Sequence, residues 1–316
     1  TRSRRVWGSA TLADARVRGY GEIFAAALVN GSIGTIVSYT TMPVAMLVSL
    51  RMCFAAGALA LVLGLRGRWP RPSDRRTVLR LFVLGLVLAA NLTCYFVAIR
   101  ETGVAIAIFT SYLAPVYVAV VAPRLSGERT GPVVVAALAV ALAGMLLILA
   151  PSLNGAGLDP GGLAAGVAAG AFYAAYLLLS KSLRRSGMES AGIVFVIAAI
   201  TAVVLLPSGL AQATASDFTA LNVAMAALLG VATTALTFSL FIDGLHFVKV
   251  QHASIIGYIE PVSAPLYALF LLGQRPSAWT VAGGVLIVVA GFVVVALGKA
   301  EEEVYRKEEE LRNKRQ

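Results

Sequence analysis

Glu260 lies in the stretch GYIEPVSAP, with Pro261 directly after it, deep inside an apolar run of roughly 250–272. A carboxylate can hold an ammonium group or exchange a proton. Proline lacks the N–H that would bond the carbonyl of Gly257, and its ring bends a helix. A carboxylate beside freed carbonyls suits cation or proton binding. The structural alternative is a carboxylate locked to a neighbouring helix. Pro115 stands in the same relation to Ser111 and is the second candidate hinge. Arg51 is the other charge buried in an apolar run. It can pair with Glu260, cap backbone carbonyls or hold a substrate carboxylate, and the structural readings are preferred.

Polar and aromatic residues recur around these charges. Asn91 and Tyr95 are four apart and share a helix face, as do Thr234 and Phe238. Phe172 and Tyr176 repeat the spacing, with Tyr173 beside them, and Asn30 lies within the first apolar run. Tyr112 and Tyr258 precede the two prolines at matching distances. As a set, Asn30, Asn91, Tyr95, Tyr112, Tyr173, Thr234, Phe238, Tyr258 and Glu260 would line a cavity for a moderately polar solute. Each alone is also compatible with helix packing.

The elements that must position these residues are membrane helices. The 316 residues are 59% hydrophobic and only 13% charged, with mean hydropathy +0.83. A soluble chain carries about 25% charged residues. Runs of about 20 apolar residues each suffice to cross a bilayer, and they do not alternate as barrel strands would. Ten spans are predicted, at 20–40, 44–65, 78–98, 103–122, 132–150, 161–180, 190–207, 219–242, 250–272 and 278–298. The fold class is therefore an all-α integral membrane protein. No cleavable signal peptide is expected, because the basic start runs into a full-length span.

An even number of spans puts both ends on one side. Arg2, Arg4, Arg5, Arg16 and Arg18 lie at the first end, six more basic residues lie at the last, and the even-numbered connections hold most of the others. Only Arg100 and Arg275 fall on the opposite side. Basic segments stay in the cytoplasm, so both termini are expected there, with the chain crossing the plasma (inner) membrane. Outer loops are expected near Thr40, Gly155 and Ser208. The net charge of +10 is thus a topology signal, and nucleic-acid binding is not expected.

Other features read as structural. Gly162, Gly166, Gly170 and Ala174 form a smooth stripe that lets helices approach. Cys53 and Cys94 are small core residues, Glu22, His246 and His252 are interfacial, and no metal site is expected. No P-loop, dinucleotide fingerprint or HExxH occurs, so neither cofactor nor ATP use is expected. Enzymatic chemistry lacks a nucleophile–base pair at membrane depth. The final segment pairs Glu302 with Arg306, Glu303 with Lys307, Glu308 with Arg312 and Glu310 with Lys314. Such pairs support an exposed helix, read as a solvated extension, an added segment or a partner helix.

The chain repeats itself. GVAIAIFTSYLAPVYVAVVAPRLSGER, from Gly103, aligns with KVQHASIIGYIEPVSAPLYALFLLGQR, from Lys249, at a constant offset of 146. Tyr112 falls on Tyr258, Pro115 on Pro261, Gly127 on Gly273 and Arg129 on Arg275. Residues 20–150 and 151–298 form two five-helix repeats, flanked by tails at 1–19 and 299–316. Five spans is an odd number, so the repeats are inverted, a pattern of secondary transporters with the site between halves. The YLAP…SGER and YIEP…LGQR copies, with LVSLRMCFAAGALAL in the second span, resemble the EamA-type branch of the drug/metabolite transporter superfamily. The resemblance implies ten helices around a central cavity and export of small metabolites, often amino acids. Ala114 where Glu260 stands in the other half, and Gln274 where Glu128 stands, imply an asymmetric site. The expected partners are a small-molecule substrate and the bilayer, with a monomeric protein.

Overall fold

The structure is a computed structural model that describes residues 9–72, 74–125, 130–153 and 159–313. Gly127, Glu128, Arg129 and Gly155 lie outside the described residues. The described residues hold helices and no strand, and ten helical segments are long and apolar enough to span a membrane. The protein is therefore a multi-pass, all-α membrane protein.

Most spans run past the predicted edges, because apolarity ends before the helix does. The third, α4 (Arg75–Thr102), begins under a cap in which the Asp74 side chain accepts from Thr77 N–H at 2.7 Å. It carries Arg100 in its last turn. The seventh, α9 (Ser190–Gln212), contains Ser208 within its helix. The loop expected there falls instead at 213–219. Long basic and polar side chains at such ends reach the interface while the backbone stays helical.

Four spans are interrupted. The first is α1 (Ser9–Asn30) followed by α2 (Ser32–Ser38), broken at Gly31. A Cβ at Gly31 would lie 1.9 Å from Ser263 Oγ and 2.8 Å from the Glu260 carbonyl. Only a glycine lets this break seat against the ninth span. That span is α12 (Val250–Ile256) and α13 (Ile259–Leu272). The fourth is likewise α5 (Val104–Ser111) and α6 (Ala114–Leu125). The eighth is α10 (Ala220–Gly230), a π-helical turn (Val231–Leu236) and α11 (Thr237–Gly244). The second, fifth, sixth and tenth spans are continuous as α3 (Val44–Leu65), α7 (Pro132–Leu153), α8 (Pro160–Arg185) and α14 (Ala278–Asn313).

The prolines explain two of the breaks. Pro115 and Pro261 stand in the first turns of α6 and α13. Their missing N–H is tolerated there, since first-turn donors have no helical partner. Each span stops and restarts rather than bending through the proline. The Gly257 carbonyl is correspondingly not free: it accepts from Glu260 N–H at 3.1 Å.

The two repeats interlock. α4 packs on α8 and α9, and the counterpart pairs set α1 against α11 and α10 against α3. α3 also pairs with α9, and α7 with α14. The glycine stripe of α8 is a packing face. Cβ atoms at Gly166 and Gly170 would meet Thr110 Oγ1 at 2.0 Å and the Thr110 carbonyl at 2.8 Å.

Candidate functional site

A cavity of about 400 Å³ lies between the first, second, eighth and ninth spans on one side and the third and fourth on the other. Asn30, Arg51, Tyr95, Tyr112, Glu260 and Pro261 line it. Leu47, Val48, Leu92, Phe96, Ile99 and Ile108 supply apolar wall. A second cavity of about 480 Å³, bounded by Arg100, Ser208 and Gln212, shares Val44, Phe96 and Ile99 with it. The two lie toward the end of the molecule that bears Arg100, away from the basic loops.

Glu260 owes its place to the helix restart. It falls in the first turn of α13, where unsatisfied N–H groups and the helix dipole favour negative charge. It is half-buried, and Tyr112 stands next to it. The other repeat makes the same restart at α6 but places Ala114 there, fully buried.

Arg51 faces the same cavity and attracts Glu260 across it. The ion pairs within 4 Å among the described residues lie elsewhere, as in Arg18–Glu22 and Arg184–Asp243. Arg51 Nε instead donates to Thr234 Oγ1 at 2.6 Å, and Nη2 to the Thr233 carbonyl at 3.0 Å. Both partners belong to the π-helical turn. The fork of a guanidinium fits two acceptors at fixed spacing. Gly230 makes the approach feasible, since a Cβ there would lie 2.6 Å from the Arg51 carbonyl.

Asn30 is oriented by Thr237, whose hydroxyl donates to Asn30 Oδ1 at 2.8 Å. The remaining sequence candidates stand behind this wall. Asn91 donates to the Ala169 carbonyl at 2.8 Å and joins α4 to α8. Thr234 is buried beneath Arg51. Tyr258 donates its hydroxyl to the Tyr112 carbonyl and packs against the Tyr112 ring at 5.6 Å. Tyr173 stacks on Tyr176 at 6.0 Å, and Tyr176 meets Phe238 at 5.9 Å. Pro115 is buried. Sequence reasoning missed Thr233 and Thr237, whose only signal was a threonine cluster after a glycine. It also missed the burial of His252, which is 1% exposed with Nδ1 2.7 Å from the Tyr20 hydroxyl. His246 is exposed, as an interfacial residue should be.

The fold and cavity can be set beside known proteins. The model of the EamA-like transporter family matches residues 17–150 and again 160–296. The chain belongs to the EamA-like transporter family. The double match supports two repeated halves. An uncharacterized transporter of Archaeoglobus fulgidus is 33% identical over 69% of this chain and 76% of its own length. The uncharacterized transporter YxxF of Bacillus subtilis is 27% identical over 82% of this chain and 84% of its own. A solved crystal structure at 21% identity covers 92% of this EamA-like chain and 99% of its own, with TM-score 0.79, and shows the same fold.

Proposed function

We propose that this protein is a secondary transporter that exports small metabolites, amino acids foremost, by alternating access. The observation that carries the reading is the cavity itself. Opposite charges, Glu260 and Arg51, face it together with Asn30, Tyr95 and Tyr112. An amino acid brings an ammonium for the carboxylate, a carboxylate for the guanidinium and amide, and an apolar portion for the Leu92 and Ile108 wall. The basic connections support cytoplasmic termini in a plasma (inner) membrane.

One observation favours a second reading. The Arg51 fork is already engaged by Thr233 and Thr234, leaving Glu260 as the charge best placed for a ligand. An organic amine would need only that carboxylate.

Flux of a solute panel into proteoliposomes, with and without a pH gradient, tests the proposal. Saturable flux of amino acids above protein-free vesicles is expected. Flux of amines alone selects the second reading, and no protein-dependent flux of any solute overturns both.

A further inference from the structure

The end of the molecule opposite the cavity is held shut by charge. Asp243, in the last turn of α11, is the centre of a cluster. Its Oδ1 accepts from Arg184 Nη2 at 2.7 Å, Arg184 Nε at 3.0 Å and Ser190 Oγ at 3.0 Å. Its Oδ2 accepts from Arg18 Nη2 at 3.0 Å. Arg18 Nε in turn donates to Glu22 Oε1 at 2.7 Å. The Asp243 and Arg184 side chains are only 23% and 20% exposed, so their charged hydrogen bonds are partly shielded from water. Beside them the Lys181 ammonium donates to the Val248 carbonyl.

These bonds cross a seam. α4, α5, α6 and α8 pack as one bundle, and α1, α2, α10, α11 and α13 as another, while α3 and α9 pack on each other and join the two, α3 against α10 and α9 against α4. The cavity opens between the two bundles. Arg184, on α8, belongs to the first and Asp243, on α11, to the second, and Ser190 stands on the bridging α9. The bond from Arg18, within the second bundle, steadies Asp243 in place.

The repeat offset of 146 relates one end of the seam to the other. It carries Asp243 to Val97, Ser190 to Val44 and Arg184 to Ser38. Val97 and Val44 line the open outer cavity. One end of the seam is therefore bridged by charge, and the counterpart positions, Val97, Val44 and Ser38, carry none.

We propose that the Asp243 cluster is the inner gate. It latches the two bundles at the basic-loop end while the cavity is open at the other end. It must release for the cavity to open toward the basic loops. The inference rests on the transporter reading, but its first test measures accessibility and needs no known substrate.

In a background of Cys53→Ala and Cys94→Ala, a Leu92→Cys reporter in the cavity is labelled with a membrane-impermeant thiol reagent from each face separately. The parent should react from the outer face. With Asp243→Asn or Arg184→Gln added, labelling from the basic-loop face should rise about tenfold, the shift expected from losing shielded charged hydrogen bonds. Unchanged labelling from that face in a folded variant overturns the gate. Should both variants misfold, Arg184→Cys with Asp243→Cys, joined by a short cleavable thiol cross-linker, provides the test. Inner-face labelling of the reporter should then fall below that of the uncross-linked protein and return on cleavage; labelling that ignores the cross-link overturns the gate. A protein that shows these accessibility changes yet moves no solute would leave the gate standing and remove the transporter reading.

Discussion

Replacing Glu260 with Gln keeps nearly the same shape but removes the charge. If the carboxylate serves substrate or proton, Glu260→Gln should fold and insert normally. It should lose most of its flux, at least about tenfold, together with any dependence of flux on pH. Flux per folded protein across a pH series measures this. Normal flux with a lowered melting temperature would make Glu260 a structural anchor instead. Arg51→Lys should act on stability. Lysine cannot reach Thr234 Oγ1 and the Thr233 carbonyl together as the guanidinium does. Loss of a buried charged hydrogen bond costs about 1–3 kcal/mol, read as a lower melting temperature. At this scale the sequence revealed the charges, because Glu and Arg at membrane depth need a reason. It did not reveal orientation. Four-residue spacing puts Asn91 and Tyr95 on one face, yet that face meets both α8 and the cavity, and the two side chains go different ways.

The crossing of α7 and α14 offers a sharper test than any polar residue. A Cβ at Gly283 would lie 2.3 Å from the Gly144 carbonyl, whereas Gly291 has nothing within 4 Å. Gly283→Ala should therefore destabilise the folded protein by about 1–3 kcal/mol through overpacking. Gly291→Ala should change the melting temperature little. Equal effects would mean the helices cross elsewhere. Apolar length made the spans legible, and the Tyr-x-x-Pro and Tyr-x-Glu-Pro copies made the breaks in the fourth and ninth legible. The Gly31 break and the π-helical turn were not. Both arise where one helix must accommodate another distant in sequence, through Ser263 against Gly31 and Arg51 against Thr233. The offset of 146 carries Gly144 to Ala290, yet Gly144 meets Gly283, because contact across the repeats does not follow the alignment between them.

For the whole molecule, the basic-loop orientation predicts which face each connection meets. Ser216 and Arg71 are exposed on opposite ends. In a cysteine-free background, Ser216→Cys should react with an impermeant thiol reagent on intact cells. Arg71→Cys should react only after permeabilisation. The reverse pattern would invert the topology. Interlocking also bears on how the cavity can change sides. With α4 on α8 and α1 on α11, the alternating access proposed above would move bundles drawn from both repeats rather than the repeats themselves. An alternating cavity has a signature that neither a pore nor a receptor shares, since it returns only by carrying solute or by reorienting empty. Counterflow measures it directly: vesicles holding the purified protein are loaded with unlabelled amino acid and diluted into a trace of the labelled one. The labelled solute should accumulate transiently above its equilibrium level in wild-type vesicles and not in Glu260→Gln vesicles. Monotonic equilibration without overshoot in the wild type, for every solute that the protein moves, would contradict alternating access at this cavity.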